Sequence, residues 1–391
     1  MKNLINGLRR KTSTLSLRSI ASFAPSINTK EAMKQLCKNL YKAGVRADMI
    51  RDREIQALAA FQDPNTPTVV DHEGPQTAGS VVHEGGILEG RQKSKSGGPT
   101  LKTNTRSFRG SALDMATALG LKQGVQLLLA NGANIEATIS ETGATPLDTA
   151  AYYGCTDMVR LLLEKGANIE ATRSNTGETP LDTASWRGHV GVVGLLLEKG
   201  ANIEARRSDT GATPLDIAAY CGHTDVVRLL LEKGANIEAT RSDDGATPLY
   251  CASFSGHVGV VSLLLDNGAN TEATRTDNGR AALHAAALYL QTEVVQLLLE
   301  KGANIHAVAK QAETALHFVF IVPIIHPDVK DSKQLIPTIA VLLAHGANIL
   351  QKEGNGKTPL DLAEEDGHSE AKSLFLRHIK EHNLKPPQQE A

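Results

Sequence analysis

The chain has 391 residues, a length that suits two or three ordinary domains, but aromatic residues make up only 4% of it. A single compact core usually contains more Phe, Tyr and Trp, whereas a stack of thin helical layers packs through Leu, Val and Ala. The charge is unevenly distributed. Residues 1–110 carry 18 Lys and Arg against 9 Asp and Glu (+9), which leaves 23 against 34 (−11) for residues 111–391. The two parts of the chain therefore differ physically.

Composition also argues against several classes of protein. The four cysteines are far apart and form neither a CxxC pair nor a cluster with histidines, so we expect a reducing compartment, no disulfide framework and no metal site. The longest apolar run, around residues 318–325, is too short for a membrane span and contains Pro323. No positive region, apolar core and cleavage site follow one another as in a secretory signal.

The first segment, residues 1–28, is predicted to be a basic disordered leader. Residues 1–30 contain six basic residues and no acidic residue, with several Ser and Thr. Two alternatives remain open: a mitochondrial transit peptide, which has this composition, and a segment that binds anionic membranes or nucleic acid through its charge.

Residues 29–62 are predicted to form a helical hairpin. Met33, Leu36 and Leu40 lie on one face of a first helix, Gly44 breaks it, and a second helix runs to Phe61. A hairpin this small does not bury enough apolar surface to be stable alone, so we expect it to dock on another surface. Residues 63–107 are rich in Pro, Gly, Ser and Thr without periodicity and are predicted to be a linker.

Residues 108–380 contain a repeat that dominates the chain. A leucine recurs every 34 residues, and so does a glycine that is followed each time by Ala-Asn. The leucines are Leu113, Leu147, Leu181, Leu215, Leu249 and Leu283, and the glycines are Gly132, Gly166, Gly200, Gly234, Gly268 and Gly302. Two further copies follow with irregular spacing, so about eight copies are expected.

Each copy predicts a helix, a turn, a second helix and a hairpin loop. In the segment 143–148, Thr145 suits the N-cap of the first helix, Pro146 suits its first position, and Asp148 suits a capping box. The second helix, about 157–165, has an apolar face and ends at Gly166, which suits a left-handed conformation. A polar hairpin loop then leads to the next copy.

The pattern G-x-TPL-D/H-xAA-xx-G-H…LLLExGANIEA resembles the ankyrin repeat over roughly residues 110–379. The resemblance implies an all-α ankyrin-repeat solenoid that binds proteins along its concave side, without cofactor, metal or catalysis. Two departures are present: most copies have 34 residues instead of 33, and the His of TPLH is retained only at His284 and His317. Asp or Tyr replaces it elsewhere (Asp148, Asp182, Asp216, Asp361 and Tyr250), which we interpret as a structural variant.

The end copies and the seventh copy differ from the rest. The first lacks Thr-Pro, and the last carries Lys372, Arg377 and Lys380 on its second helix, as capping units with polar outer faces do. The seventh has 11 extra residues, with Pro323, Pro327 and Pro337 among them. A tolerated loop insertion is favoured over a finger that touches a partner. Residues 381–391 are predicted to be a disordered tail.

The two positions before the glycine that ends each first helix vary most between copies. We call them the pair positions. They read Tyr152-Tyr153, Trp186-Arg187, Tyr220-Cys221, Phe254-Ser255 and Leu288-Tyr289. The aromatic ladder (Tyr152, Trp186, Tyr220 and Phe254) is interpreted as a binding surface, because rings anchor interfaces at little entropic cost. The alternative is that each ring only packs on its neighbour. With Tyr153, Arg187 and Tyr289, these residues are candidate partner contacts.

The arginine ladder consists of Arg173, Arg207, Arg241 and Arg275, in the hairpin loops. Asp209, Asp243 and Asp277 accompany it, and we expect Arg–Asp pairs across adjacent copies. The alternative is a charged rim that orients a partner, so these arginines remain candidate partner-binding residues. The glutamates Glu170, Glu204, Glu238 and Glu272 make nucleic-acid binding by the repeats a poor fit.

No phosphate-binding loop, GxSxG, HExxH or EF-hand pattern is present, so an enzyme is not expected. The histidines of the Gly-His pairs are predicted to order loops. The sequence thus favours a scaffold or adaptor protein of the cytoplasm or nucleus. A transcriptional coregulator and a regulatory subunit or inhibitor of one enzyme are the alternatives.

Overall fold

The computed structural model describes residues 68–72, 106–110, 112–118, 120–139, 142–321 and 333–384. The chain divides into two compact units, residues 1–141 and 142–391. In the first unit, strands β1 (Thr68–His72) and β2 (Arg106–Gly110) pair antiparallel, with Thr68 opposite Gly110 and His72 opposite Arg106. The sequence analysis did not predict these strands, and β1 falls within the segment assigned to a linker.

From residue 112 onward the described chain is built from pairs of short helices, one pair per copy. The first helices are Ala112–Ala118, Pro146–Tyr152, Pro180–Arg187, Pro214–Cys221, Pro248–Ser255, Ala282–Leu288, Ala315–Phe318 and Pro359–Glu365. The second helices are Lys122–Ala130, Thr156–Glu164, Val190–Glu198, Thr224–Glu232, Val258–Asp266, Thr292–Glu300, Leu335–Ala344 and Ser369–Glu381. The predicted fold of repeated helix pairs is confirmed, and the described residues contain one such pair in the unit 1–141 and seven in the unit 142–391.

The Thr-Pro pair begins the first helices as predicted. Thr179 is the N-cap of the third copy, and its hydroxyl oxygen accepts a hydrogen bond from the backbone N–H of Asp182. The Asp182 carboxylate in turn accepts the backbone N–H of Thr179 at 2.8 Å, which completes a capping box. The same reciprocal pair forms at Asp216 and Asp361. At Asp148 only the bond from its backbone N–H to the Thr145 hydroxyl forms, and the carboxylate does not return a bond to the backbone of Thr145.

Glycines end both helices of the second to fifth copies, whereas Leu290 (φ 53°) follows the first helix of the sixth. In the third copy Gly188 (φ 74°) follows the first helix and Gly200 (φ 91°) follows the second. Both lie in the left-handed region that favours glycine, as predicted for the second helix. The chain therefore reverses direction at fixed points, and each copy has the same local geometry.

The core lies between neighbouring copies. Within the unit 142–391, each first helix packs on the first helix of the next copy, and each second helix packs on the next second helix. The leucines of the repeat (Leu147, Leu181, Leu215, Leu249 and Leu283) are at most 2% exposed. Full burial of one such side chain contributes about 1.5–3 kcal/mol. Because its burial requires the adjacent copy, stability comes from the stack.

A polar ladder joins successive hairpin loops. The carboxylate of Glu170 accepts the backbone N–H of Asn202 at 2.7 Å, and the same bond joins Glu204 to Asn236, Glu238 to Asn270 and Glu272 to Asn304. These glutamates, which argued against nucleic-acid binding by the repeats, therefore hold the register between copies. In the next copy His306 occupies this position, and the ladder stops there.

The seventh and eighth copies close the array. The first helix of the seventh is short (Ala315–Phe318), and most of the insertion, residues 322–332, lies outside the described residues. Pro337, which we placed in the insertion, lies in the first turn of the second helix. In the eighth copy Phe375 is fully buried and contacts Phe320 edge-on at 6.0 Å, whereas the neighbouring Leu376 is 48% exposed. The last helix thus buries Phe375 against the seventh copy, while its outer side combines the exposed Leu376 with the basic residues Lys372, Arg377 and Lys380.

Several predictions lie outside the described residues: the basic leader 1–28, the helical hairpin 29–62, and residues 63–67 and 73–105 of the linker. Of the predicted tail 381–391, residues 385–391 lie outside them as well, and Glu381 still belongs to the last helix.

The closing copy allows a paired test of the packing. Phe375→Ala is expected to lower the free energy of unfolding by about 3–5 kcal/mol, because it removes a buried ring and leaves a cavity against Phe320. Leu376→Ala, one residue later on the same helix, is expected to change it by less than about 1 kcal/mol. Urea unfolding followed by circular dichroism measures both, and equal losses would contradict this arrangement.

Candidate functional site

The aromatic ladder is partly exposed along the ends of four first helices. Trp186 and Tyr220 expose 38% and 41% of their surface, while Tyr152 and Phe254 are half-buried. Of the companion residues, Tyr153 is 49% exposed, Arg187 is exposed, and Tyr289 is half-buried. The predicted binding residues on the first helices therefore share one face and remain accessible.

The rings of the ladder also contact one another. The Tyr152 and Trp186 ring centroids are 6.0 Å apart, and Tyr153 lies edge-on to Tyr152 at 5.1 Å. Further along, Tyr220 stacks on Phe254 at 6.1 Å. Packing between copies, the alternative to binding, thus takes place, but it leaves part of each ring exposed.

The sixth copy continues the ladder with a different residue. Leu288 occupies the ladder position there and is 3% exposed. The ring that reaches Phe254 is that of the next residue, Tyr289, with centroids 4.2 Å apart. Within the described residues, the last ring on this face is therefore that of Tyr289, at the second pair position. The repeat pattern had placed the ladder at the first pair position.

Histidines of the next copy hold the backbone under the ladder. The Nε2 atoms of His189, His223 and His257 lie 3.0, 2.8 and 2.9 Å from the carbonyl oxygens of Tyr152, Trp186 and Tyr220. Since a carbonyl oxygen only accepts, Nε2 carries the proton in each case. The loop-ordering role predicted for these histidines is confirmed, and what they order is the helix end that carries each ring.

The arginine ladder is enclosed by carboxylates. The four guanidinium side chains are 20–24% exposed, and Arg207, Arg241 and Arg275 each pair at 2.7–2.8 Å with the aspartate two residues later in the same loop. The expectation that Arg and these aspartates pair across copies was wrong. Two residues apart in a tight turn, the side chains point the same way and meet locally.

Other acidic residues bridge the copies instead. Glu178 binds Arg173 and Arg207, both at 2.9 Å, and Asp244 lies 3.7 Å from Arg241 and 3.1 Å from Arg275. Pairing across the stack thus exists, but through residues that do not recur every 34 positions. The guanidinium groups of these arginines are bound by carboxylates of the same chain. This favours a structural role for the arginine ladder over a charged rim that contacts a partner.

A second feature explains why arginine stands in these loops. Each follows the residue that replaces the His of TPLH by 25 positions: Arg173 follows Asp148, and Arg275 follows Tyr250. Arg173 Nε donates to Asp148 at 2.8 Å, and the Arg275 guanidinium lies 5.2 Å from the centre of the Tyr250 ring. Where His284 is retained, Ala309 occupies the arginine position.

The retained His284 shows which hydrogen bonds are lost where Asp replaces the His of TPLH. His284 Nδ1 accepts the backbone N–H of Ala281 at 2.9 Å, and its Nε2 lies 3.0 Å from the carbonyl oxygen of Ala307, to which it donates. An ionised aspartate accepts but does not donate, so it needs donors of its own. Asp148 obtains them from Arg173 and from the hydroxyl of Thr183 in the next copy, which is why it does not complete a capping box.

The next two aspartates lack the second donor. Ile217 and Cys251 occupy the positions that correspond to Thr183, and one carboxylate oxygen of Asp182 and one of Asp216 are buried without a hydrogen bond from the described residues. Desolvation by burial raises the pKa of Asp182 to about 7 and that of Asp216 to about 6, against the lowering effects of the caps and of Arg207 and Arg241.

The described residues offer no evident catalytic group on this face. Burial raises the pKa of the Cys221 thiol to about 11, so it stays protonated at neutral pH. No cluster of three His, Cys, Asp or Glu with metal-binding geometry occurs in the described ranges. No helix in those ranges is both long and apolar enough to span a bilayer.

The histidine contacts predict unequal effects of two glycine substitutions. A Cβ at Gly188 would lie 2.6 Å from the ring of His223, whereas one at Gly200 meets open space. Both positions have positive φ, so Gly188→Ala is expected to cost about 1–2 kcal/mol more than Gly200→Ala. Urea unfolding followed by the fluorescence of Trp186, the sole tryptophan, measures the difference. Equal losses would show that the His223 contact contributes nothing.

The buried carboxyls predict a pH dependence of stability. Their folded-state pKa values of about 7 and about 6 exceed the unfolded value of 3.8, so between these limits the folded chain binds more protons. The contribution of these two carboxyls to the free energy of unfolding therefore falls as pH rises from about 4 to 7. Asp182→Asn with Asp216→Asn is expected to reduce this fall by roughly 2–4 kcal/mol in urea titrations at several pH values. The exposed substitution Asp157→Asn is the control, and an unchanged slope in the double variant would contradict the prediction.

Comparisons with known proteins agree with the repeat geometry. The family model for ankyrin repeats (three copies) matches residues 113–207, 173–241, 203–275 and 238–309, which together span half of the chain. The crystal structure of the human ASB11 ankyrin repeat domain is similar, with a TM-score of 0.51 and 28% sequence identity over 61% of this chain and 99% of that one. No curated protein sequence gives a significant match. With these matches and the helix pairs described above, the chain belongs to the ankyrin-repeat family.

Proposed function

We propose that this protein is a non-catalytic scaffold or adaptor that binds a partner protein on the exposed face of the aromatic ladder. The observation that carries the proposal is the row of partly exposed rings at Tyr152, Trp186, Tyr220 and Phe254. Ankyrin repeats are general protein-interaction modules. In the rest of the repeat, equivalent positions are largely occupied by caps, glycines and leucines with structural roles, so these rings are the variable surface.

The ladder has the physical properties of an interface centre. Histidines hold the backbone carbonyls of Tyr152, Trp186 and Tyr220, and the rings contact one another, so little side-chain entropy is lost on binding. A standard interface removes about 800 Å² from each partner. With neighbouring helices about 8–10 Å apart, such an area extends over several copies. The ladder covers four copies and therefore matches that footprint.

The arginine ladder is not part of the proposed interface centre. Its guanidinium groups are paired with carboxylates of the protein, and a partner would have to break these pairs to use them. We also propose that the protein acts in the cytoplasm or nucleus, as the cysteine usage suggests.

Removing two rings tests the proposal. Trp186→Ala with Tyr220→Ala in the full chain is expected to weaken partner binding at least tenfold, because each hot-spot aromatic contributes more than about 1 kcal/mol. Affinity purification with quantitative mass spectrometry identifies the partners of the wild-type protein, and titration with the purified partner measures the loss.

A matched control changes the second helices of the second and fourth copies instead. Arg160→Ala with Arg228→Ala alters two exposed residues of the second helices and is expected to leave binding unchanged. Both double variants are checked for unchanged unfolding in urea. Full partner recovery by the folded Trp186/Tyr220 variant would rule out the aromatic ladder as the interface.

A further inference from the structure

One side chain differs from all others at the pair positions. In copies two to six these ten positions hold a single charged residue, Arg187. It is exposed, and no carboxylate or hydrogen-bond acceptor within the described ranges binds its guanidinium. Every member of the arginine ladder, by contrast, is paired with an acidic residue. Arg187 is therefore a cation without a counterion on an otherwise uncharged aromatic face.

The guanidinium of Arg187 is held in place by two rings. Its central carbon lies 4.5 Å from the centroid of Tyr152 and 5.4 Å from that of Trp186. Both distances are within the range of cation–π attraction. These contacts restrict the long side chain while its five N–H donors make no bond to the described residues. The group is thus pre-organised to donate to an acceptor from outside.

Binding on the ladder would change the surroundings of this charge. A partner that covers Trp186 also removes water from Arg187, and burying an unpaired cation is strongly unfavourable. A partner side chain with a carboxylate restores the lost interaction through two parallel N–H···O bonds, whereas a basic side chain is repelled. The site therefore discriminates between partners by the cost of leaving Arg187 unpaired.

The remaining pair positions limit how acidic the partner segment is, because they offer no second cation. Asp209, Asp243 and Asp277 lie exposed in the hairpin loops, are paired with arginines of their own loops, and do not bind Arg187. The remaining ladder, from Tyr220 through Phe254 to Tyr289, is apolar and aromatic.

We infer that the partner segment is apolar and carries a single Asp or Glu that binds Arg187. This inference rests on the proposed function above. The apolar side chains of the segment lie on the rings of Tyr220, Phe254 and Tyr289. Because stacked helices are about 8–10 Å apart, Arg187 and Phe254 are separated by roughly 16–20 Å. An extended peptide covers this distance in about five or six residues. The acidic residue thus stands near one end of the segment and fixes its direction along the ladder.

A random library of 12-residue peptides displayed on phage, selected on the immobilised full chain, tests the inference. Enriched peptides are expected to share one Asp or Glu separated by about five residues from an apolar pair. Replacing that acid by its amide is expected to weaken binding to the wild-type chain about tenfold. Against Arg187→Gln, the acidic and amide peptides are expected to bind within about twofold of each other, as a double-mutant cycle requires.

The matched control is Arg160→Gln, an exposed arginine on a second helix, which is expected to retain the tenfold preference for the acid. Arg187→Gln is expected to stay folded, with a urea midpoint only slightly below that of the wild type because two exposed cation–π contacts are lost, which separates a binding role from a purely stabilising one. Enriched peptides without an acid, or a preference that persists in Arg187→Gln, would overturn the inference while leaving the ladder intact. Binders insensitive to Trp186→Ala with Tyr220→Ala, or no binders, would count against the proposed function itself.

Discussion

The structure depends on the burial of each copy's apolar helix faces by the next copy. A pair of short helices cannot bury its own leucines, so Leu181 or Leu215 reaches full burial only when the neighbouring copy is in register. This constraint explains the 34-residue spacing of the first six copies, because a change in length within a helix would displace it from its partner, whereas the insertion of the seventh copy lies between its two helices. It also explains the polar ladder from Glu170 to Asn202 and its equivalents, which fixes the same register at the loops.

The same constraint leaves only certain positions free to vary. Residues that contact the neighbouring copy are constrained by packing, caps or glycine turns, whereas the exposed ends of the first helices vary between copies. The histidines of the following copy hold the carbonyl groups there, so each stacked pair of copies builds a rigid support for one ring. Interaction between copies thus produces both the stability of the array and the preorganisation of its surface.

Sequence reasoning predicted the elements that depend on local chemistry. The Thr-Pro caps, the left-handed glycines and the leucine core follow from rules that act within a few residues, and they were correct. The ion pairs were less predictable, because a 34-residue spacing of Arg and Asp does not determine which way either side chain points in a turn. Glu178 and Asp244, which bridge the copies, occupy positions that differ between repeats and carry no periodic signal. The coupling of Arg173 to Asp148 was visible as a constant separation of 25 residues, but its meaning required the fold.

The central claim is that a protein partner covers the aromatic ladder, and Trp186 reports on this directly as the only tryptophan. The most direct measurement is the emission of the full chain as it is titrated with a purified partner that lacks tryptophan. If the partner covers the ladder, the emission is expected to shift to shorter wavelength and acrylamide quenching to decrease as binding saturates, since an exposed indole becomes covered. Saturable binding without any change in the emission or quenching of Trp186 would contradict it.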